Sequence, residues 1–187
     1  GVIGDCLRAH GGPSPKQIDD IHDVIRSHAR DLVAIDAVKS AQTVAEYCPE
    51  LHQDILEALS EDPEHEYRYL QAILEPEKVG SPEVKPLHEK LFIERYVLLM
   101  CSFDALHVAE YVEAIQASDL RLDKVLPAME EGGVVDAAVI LMAREGLIGD
   151  AMKRLTEHLG KLEAALTGLL QSNEIGRASC RERVGIK

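Results

Sequence analysis

Eight histidines and four cysteines carry the side chains best suited to metal binding or nucleophilic chemistry. The histidines stand at positions 10, 22, 28, 52, 65, 88, 107 and 158, and the cysteines at positions 6, 48, 101 and 180. No two cysteines form a Cys-x-x-Cys pair. His22 and His28 are too far apart in sequence to put two ligands on one face of a helix. These spacings predict isolated, reduced thiols in the helices of an intracellular protein.

Acidic residues surround one histidine and suggest a cation site. His65 lies among Glu61, Asp62, Glu64 and Glu66, and such a cluster could attract a divalent ion. The alternative is a solvated helix start, where acidic side chains interact favourably with the helix dipole. We favour the helix start.

Two further groupings of side chains could form functional pairs. Cys101 and His107 could form a thiol–imidazole pair, but a predicted helix break separates them and no third group orients the imidazole. A buried cysteine is the commoner role. Tyr67 and Tyr69 face different sides of a predicted helix, so we expect Tyr67 to pack inward and Tyr69 to lie at an edge.

Sequence motifs of catalysis are lacking. The chain contains no GxGxxG, GxxxxGK[ST], HExxH or GxSxG pattern. We therefore predict no catalytic residues, no cofactor-binding residues, no metal ligands and no cofactor, and we expect that the protein is not an enzyme. A compact all-α enzyme domain is a remaining alternative, which a deep pocket with convergent polar groups would favour.

The amino-acid composition limits both the fold class and the classes of binding partner. Of 187 residues, 46% are hydrophobic but only 4% are aromatic, so Leu, Ala, Val and Ile must form the core. That profile suits close-packed helices better than a β-sandwich. The formal net charge of −13 disfavours nucleic acid and direct adhesion to anionic lipid. No apolar run approaches the ~20 residues that span a bilayer, and the first ten residues do not resemble a signal peptide. The chain lacks an initiating Met, so we expect it to begin inside a longer protein.

Helix start signals recur along the chain. Ser14, Pro15 and Gln17 form a capping-box start, and Asp36 and Asp62 can cap later helices. Apolar residues follow at helical spacing, which predicts roughly nine helices, mostly 10–20 residues long. Short turns make neighbours antiparallel, and stacked hairpins bury the faces that one hairpin leaves open. The sequence therefore predicts an all-α fold, an α-solenoid of stacked antiparallel helix hairpins, with an ordinary helical bundle as the alternative.

Specific inward faces follow from this spacing. The predicted apolar stripes are Ile18, Ile21, Ile25, Ala29 and Leu32; Val38, Ala41, Val44 and Ala45; Leu51, Ile55, Leu56 and Leu59; Tyr67, Leu70, Ile73 and Leu74; Leu87, Leu91, Tyr96, Leu98 and Leu99; Leu106, Val108, Val112 and Ile115, after an Asp104 cap; and Leu122, Val125, Leu126 and Met129. Pro127 predicts a kink or a delayed helix start. Gly160 leaves open whether 148–170 is one long helix or two.

Proline and glycine divide the chain. Pro76, Gly80, Pro82 and Pro86 predict a loop at 76–86. We expect this loop to separate a first block of helical hairpins, 1–75, from a second block, 87–172.

Residues 173–187 form the last segment, and within it the residues after Asn173 differ in kind from the rest. The run at 175–184 reads IGRASCRERV, which matches, codon by codon, the conceptual translation of a common sequencing adapter (ATC GGA AGA GCG TCG TGT AGG GAA AGA GTG). We expect a non-native, adapter-derived tail. A basic interaction tail is the alternative.

Several short segments, taken in order, resemble helical hairpins of the clathrin-heavy-chain-repeat proteins of vacuolar sorting. They are DLVAID at 31–36, YCP at 47–49, LLMCSFD at 98–104, DLRL at 119–122, VLPAME at 125–130, GVVDAA at 133–138 and HLGKLEAAL at 158–166. The resemblance covers roughly residues 31–170, and the order of the segments carries it. They are most similar to the C-terminal solenoid of the vacuolar protein sorting-associated protein eight family, in its fungal form.

This resemblance implies a clathrin-heavy-chain-repeat or TPR-like α-solenoid fragment from a subunit of the CORVET tethering complex. That family carries an N-terminal β-propeller and a C-terminal RING-like zinc module, and neither matches residues of this chain. The implied role is endosomal vesicle fusion and vacuolar protein sorting through protein–protein interaction. Implied partners are other tethering-complex subunits and, through the full-length protein, an endosomal Rab GTPase.

The implied location is cytoplasmic and peripheral on endosomal or vacuolar membranes. Another clathrin-heavy-chain-repeat subunit, of HOPS type or from a coat, is the alternative. Because solenoids need capping repeats, we also expect the isolated chain to self-associate or precipitate.

Overall fold

The computed structural model of the protein describes residues 14–116 and 119–184, and within these ranges it contains helices and no strand. The predicted all-α class is confirmed, while the stacked-hairpin solenoid stays a prediction. The described α-helices are α1 Pro15–Ser27, α2 Ala29–Ile35, α3 Ala37–Tyr47, α4 His52–Ala58, α5 Pro63–Leu74, α6 Lys90–Phe103, α7 Val108–Ala114, α8 Leu122–Glu131, α9 Val135–Arg144 and α10 Ile148–Val184. Short 3-10 turns occur at Pro49–Leu51, Pro76–Val79 and Ala105–His107.

Three helices begin where the capping signals predict. At the start of α1, the Gln17 amide oxygen accepts from the Ser14 backbone N–H at 2.8 Å, and the Ser14 hydroxyl accepts from the Gln17 N–H in return. Asp36 caps α3 by accepting from the Lys39 N–H at 2.9 Å, and Asp62 caps α5. Each cap satisfies a backbone donor that the helix itself leaves unpaired, a contribution of about 1 kcal/mol.

Other helix boundaries differ from the prediction. The first predicted stripe is split between α1 and α2, because the helix ends at His28, whose backbone N–H donates to the Val24 carbonyl. Asp104 makes no side-chain cap. The 3-10 turn after it shifts the register, so Leu106 is 95% exposed rather than inward. The exposed Leu91 also lies outside the buried face of α6.

Pro127 lies inside α8, which begins at Leu122. The predicted delayed start is therefore wrong, and the kink stays a prediction. Gly160 does not divide the last helix, since α10 is continuous from Ile148 to Val184. Gly146, with φ of 76°, supplies the left-handed residue that ends the turn between α9 and α10.

One hydrophobic core runs through the packed helices from Ile25 to Leu141. Helix α3 packs on α5, α5 on α6, and α6 on α8, while α9 contacts α7, α8 and α10. At the 76–86 loop, the Leu87 backbone N–H donates to the Ile73 carbonyl at 2.8 Å. Fully buried side chains include Leu51, Ile55, Leu59, Leu70, Ile93, Met129 and Leu141. Each such burial contributes about 1.5–3 kcal/mol.

The last helix leaves this core after its first turns. Ala151 is buried and Leu155 half-buried. From Leu159 onward, every side chain that the structure describes in α10 is exposed. No helix of the described ranges is long and apolar enough to cross a membrane.

Candidate functional site: a buried polar network and an exposed leucine face

A buried polar network joins the end of α5, helix α6 and the turn before α7. The Tyr96 hydroxyl donates to Glu75 Oε2 at 2.6 Å. His107 Nε2 lies 2.8 and 3.0 Å from the two oxygens of the same carboxylate. The side chains of Glu75 and His107 are each 8% exposed. A buried carboxylate is stabilised only when hydrogen-bond donors surround it, and here two donors converge on one group.

Lys78 and Glu110 connect this network to the surface. Lys78 Nζ lies 3.2 Å from His107 Nδ1 and 3.5 Å from Glu110 Oε1. The hydrogen bond from His107, followed by the charge of Lys78, lowers the pKa of Glu110. Nε2 of His107 faces the two oxygens of Glu75 and donates to them, while Nδ1 lies between the Lys78 ammonium and Glu110 Oε2, 3.3 Å away.

An imidazole oriented by a carboxylate is the arrangement that general bases use. In this network, however, both nitrogens of His107 already have partners. Burial and the Glu75 hydrogen bond raise the pKa of Tyr96, so its phenol stays a proton donor to Glu75. The rings of Tyr67 and Tyr111 pack on Tyr96 with centroids 5.5 and 5.0 Å away. The network therefore braces three elements against one another and leaves no free nitrogen for a substrate.

Tyr69 lies in the core and not at the predicted edge. It is 0% exposed, because α5 is packed between α3 and α6 and so has two buried faces. Its hydroxyl lies 2.8 Å from Nδ1 of the buried His52. Burial lowers the pKa of His52 and raises that of Tyr69. The spacing of apolar residues along α5 predicts one buried face of the helix, but it does not predict the second.

A cavity of about 350 Å³ adjoins this pair. It is lined by His52, and also by Gln42, Lys85 and His88. The Gln42 side chain donates to the Ser81 hydroxyl, which ties α3 to the loop that forms the cavity wall. These polar groups border the cavity, and neither they nor His52 form a nucleophile–base pair.

The two buried thiols are inert by their surroundings. Desolvation raises the pKa of both Cys48 and Cys101 to about 11, so both are protonated near neutral pH. The hydrogen bonds of the His107 imidazole go to Glu75, Glu110 and Lys78. The structure therefore does not bring Cys101 and His107 into a thiol–imidazole pair.

The histidines considered in the sequence analysis as possible metal ligands, His22, His28 and His65, contact different partners. His22 Nε2 faces Glu50 at 3.2 Å, whereas His28 Nδ1 contacts the Val24 carbonyl of its own helix at 3.0 Å. His65 Nδ1 bonds the Asp62 cap at 2.6 Å. Across residues 14–116 and 119–184 no group of three or more His, Cys, Asp or Glu side chains could hold a metal ion.

The acidic start of α5 is only partly a solvated face, which corrects the sequence interpretation. Glu64 is exposed and pairs with Arg68 at 2.6 Å. Glu66 is buried instead, and its two oxygens accept from Arg95 Nε and Nη2 at 2.7 and 2.8 Å. Glu66 precedes the inward Leu70 by one helical turn, and that spacing was the available signal.

Two more arginine contacts hold elements together. Arg121 donates from Nε and Nη2 to the buried carboxylate of Glu94 at 2.9 and 2.5 Å, and this hydrogen bonding lowers the pKa of Glu94. Arg144 donates to the carbonyls of Val112, Glu113 and Ile115 at 2.7–3.1 Å, which satisfies acceptors that the end of α7 leaves open. Paired guanidinium groups thus link α5 to α6, α6 to α8, and α7 to α9.

The most conspicuous unpartnered surface is on α10. We call it the leucine face, and it consists of Met152, Leu155, Leu159, Leu162, Leu166 and Leu169. Leu159 is 56% exposed and Leu169 is 65% exposed. Contiguous exposed apolar surfaces are the usual sites of contact with other molecules. From the sequence we predicted helix over 148–170 but assigned it no exposed face, although the alternating spacing of three and four was the signal.

Comparisons of the chain with family models, with curated proteins and with solved structures found no match.

Proposed function

We propose that the chain is a scaffold segment from a subunit of an endosomal membrane-tethering complex, the CORVET type, and that it acts by protein–protein contact in vacuolar protein sorting. The observation that carries the proposal is the position of the resembling segments in the fold. DLVAID at 31–36 spans the α2–α3 junction, LLMCSFD at 98–104 ends α6, and GVVDAA at 133–138 spans the turn into α9. Helix-repeat scaffolds use such junctions to fix the angle between neighbouring helices.

The physical properties of the body suit this role. Paired arginines and capped helix ends hold the helices at fixed positions, so one surface can present partner sites at a set spacing. The polar side chains of the buried network form hydrogen bonds with one another, which fits a protein that catalyses no reaction. A net charge of −13 disfavours direct contact with anionic lipid, so membrane attachment on endosomes or vacuoles would come through partners.

A binding panel tests the proposal. The immobilised chain is exposed to purified subunits specific to the endosomal tethering complex, to HOPS-specific subunits and to coat subunits, and binding is measured by interferometry. We expect saturable binding to at least one endosome-specific subunit. A variant lacking residues 174–187 is the control, and it should bind equally because that tail is expected to be non-native.

Each other result has a defined meaning. Binding confined to HOPS-specific or coat subunits would replace the proposal with its alternative, a different clathrin-heavy-chain-repeat subunit. Binding to none of them, by a chain whose helical content and cooperative melting are intact, would contradict the scaffold proposal.

A further inference from the structure

We propose that the leucine face of α10 pairs with the same face of a second copy of this chain, as a parallel, in-register, two-stranded coiled coil. This inference does not depend on the proposed function, because it rests on the geometry and sequence of one helix.

The period of the seam is that of a coiled coil. Starting at Met152, the leucine face advances by alternating steps of three and four residues through Leu155, Leu159, Leu162, Leu166 and Leu169, and the next step reaches Asn173. Such a seven-residue repeat keeps an apolar seam facing one neighbouring helix. At 1.5 Å per residue the seam is about 32 Å long.

The distal part of α10 has no packing within its own chain. Every described side chain from Leu159 onward is exposed, and Gly160 and Gly168 within the helix each cost about 1 kcal/mol relative to alanine. A helix that gains nothing from tertiary burial is only marginally stable in water. A second helix along the leucine face would supply the burial that α10 lacks.

The polar residue in the seam selects a second copy in parallel register. Asn173 occupies the first core position of its heptad. In a parallel pair it meets Asn173 of the second copy, and the two amides hydrogen-bond. In an antiparallel pair that aligns Leu159 with Leu162, Asn173 would instead face Ile148, and its buried amide would lose its partners.

The flanking positions present no repulsion to a second copy. In the parallel pair, His158 of one chain lies beside Glu163 of the other, and Ala165 lies beside Leu170. No two like charges meet across this stretch, and like charges at these positions are what normally oppose self-pairing. Ala151, which flanks the seam, is buried where α10 packs on α9. Met152, the first residue of the seam, is 58% exposed and so is accessible to a second copy.

Mass measurement tests the pairing. Sedimentation equilibrium of the full chain at tens of micromolar should give about twice 20.6 kDa. Leu162→Glu puts a charge into the centre of the seam and should return the monomer mass. Ala164→Glu makes the same change on the outer face of the helix and should leave the dimer intact. A monomeric or higher-order wild-type chain would overturn the proposal, as would a Leu162→Glu chain that stays dimeric.

Cysteine cross-linking tests the orientation. Leu169→Cys, which keeps Asn173 in the seam, is made in a Cys180→Ser background, and the protein is treated with diamide, which oxidises two adjacent thiols to a disulfide. We expect a covalent dimer on a non-reducing gel, with none from the Cys180→Ser background alone. In the antiparallel arrangement the two introduced thiols would be about 26 Å apart, so a dimer of correct mass that does not cross-link would overturn the parallel register.

Discussion

The Tyr96 hydroxyl and the His107 imidazole both bind the buried carboxylate of Glu75, at 2.6 and 2.8 Å. Among single residues these come closest to a catalytic set. Their hydrogen-bonding capacity is spent on one another and on Lys78 and Glu110. Since a buried polar group costs stability when it loses its partner, each of these side chains should affect the free energy of unfolding.

Tyr96→Phe removes one donor to Glu75 without changing the shape of the ring. We expect the free energy of unfolding to fall by about 1.5–3 kcal/mol, the range for a hydrogen bond to a charged group. Denaturant titration measures it. Tyr111→Phe is the control, because the contacts that the structure describes for Tyr111 are made by its ring, and it should change stability by less than about 0.5 kcal/mol. Equal effects of the two variants would contradict the proposed brace.

Stability near His52 should depend on pH. Burial lowers its pKa below the usual 6.5, so the unfolded chain binds a proton more readily than the folded one. The stabilisation from neutral His52 is therefore present above pH 6.5 and is lost as the pH falls through that value. His52→Gln keeps a polar partner for Tyr69 but does not titrate. The stability advantage of wild type over His52→Gln should therefore be smaller at pH 5.5 than at pH 7.5. An advantage that stays constant or grows on acidification would refute this.

Single-residue roles were the hardest to predict from sequence. Glu75 and His107 are far apart along the chain, and no local pattern links them. Cys101 and His107 are close in sequence and so could form a pair, but the His107 side chain bonds Glu75, Glu110 and Lys78 instead. Tyr69 was misplaced because a periodic stripe reports one buried face, whereas α5 has two.

At the scale of elements, paired guanidinium and carboxylate groups join helices that are distant in sequence. Arg95 reaches from α6 to Glu66 in α5, and Arg121 reaches back from the start of α8 to Glu94 in α6. Two parallel hydrogen bonds fix the relative orientation of the two groups as well as their distance. These pairs therefore set the relative positions of the helices that carry them.

Glu66→Gln tests one such link. It removes the charge that pairs with Arg95, and we expect a loss of about 1–2 kcal/mol, less than for a fully buried pair because Arg95 is 43% exposed. Glu64→Gln is a matched control in the same helical turn, where the helix dipole acts alike on both residues. Its exposed pair with Arg68 should contribute less than about 0.5 kcal/mol. Thermal unfolding that shows the larger loss for Glu64→Gln would reverse this assignment.

Gly132 marks the close approach of α6 and α8. A Cβ there would lie 2.8 Å from the Cys101 carbonyl oxygen, so Gly132→Ala should destabilise the protein by about 1–3 kcal/mol. At Gly149, in the first turn of α10, a Cβ meets no atom within 4 Å. Gly149→Ala should be neutral or stabilising by up to about 1 kcal/mol. Denaturation midpoints compare the two, and equal changes would argue against this contact.

Helix starts could be predicted because their determinants are local. Ser14, Asp36 and Asp62 each bond a backbone N–H within three residues, as their types and spacing indicated. Boundaries set by tertiary contacts could not be predicted. The break at His28 and the exposure of Leu106 depend on turns with no distinctive residue, and Pro127 is accommodated inside α8 despite its missing donor.

At the scale of the molecule, the helices of residues 14–116 and 119–184 form an acidic body that carries the long helix α10, whose leucine face is exposed to water. We expect the isolated chain to self-associate, and the leucine face predicts that the product is a dimer. The regular seam reaches Asn173, next to the residues that match an adapter translation. The end of the seam and the start of the adapter match both lie near Asn173. The scaffold proposal concerns the residues before this point.

Sequencing the native transcript from the Gly146 codon to its stop tests the account most directly. A tethering-subunit scaffold predicts that residues 174–187 are replaced by further helical hairpins, followed by a Cys/His-rich zinc pattern. A transcript that encodes EIGRASCRERVGIK and then stops would contradict both the adapter origin of the tail and the implied tethering subunit.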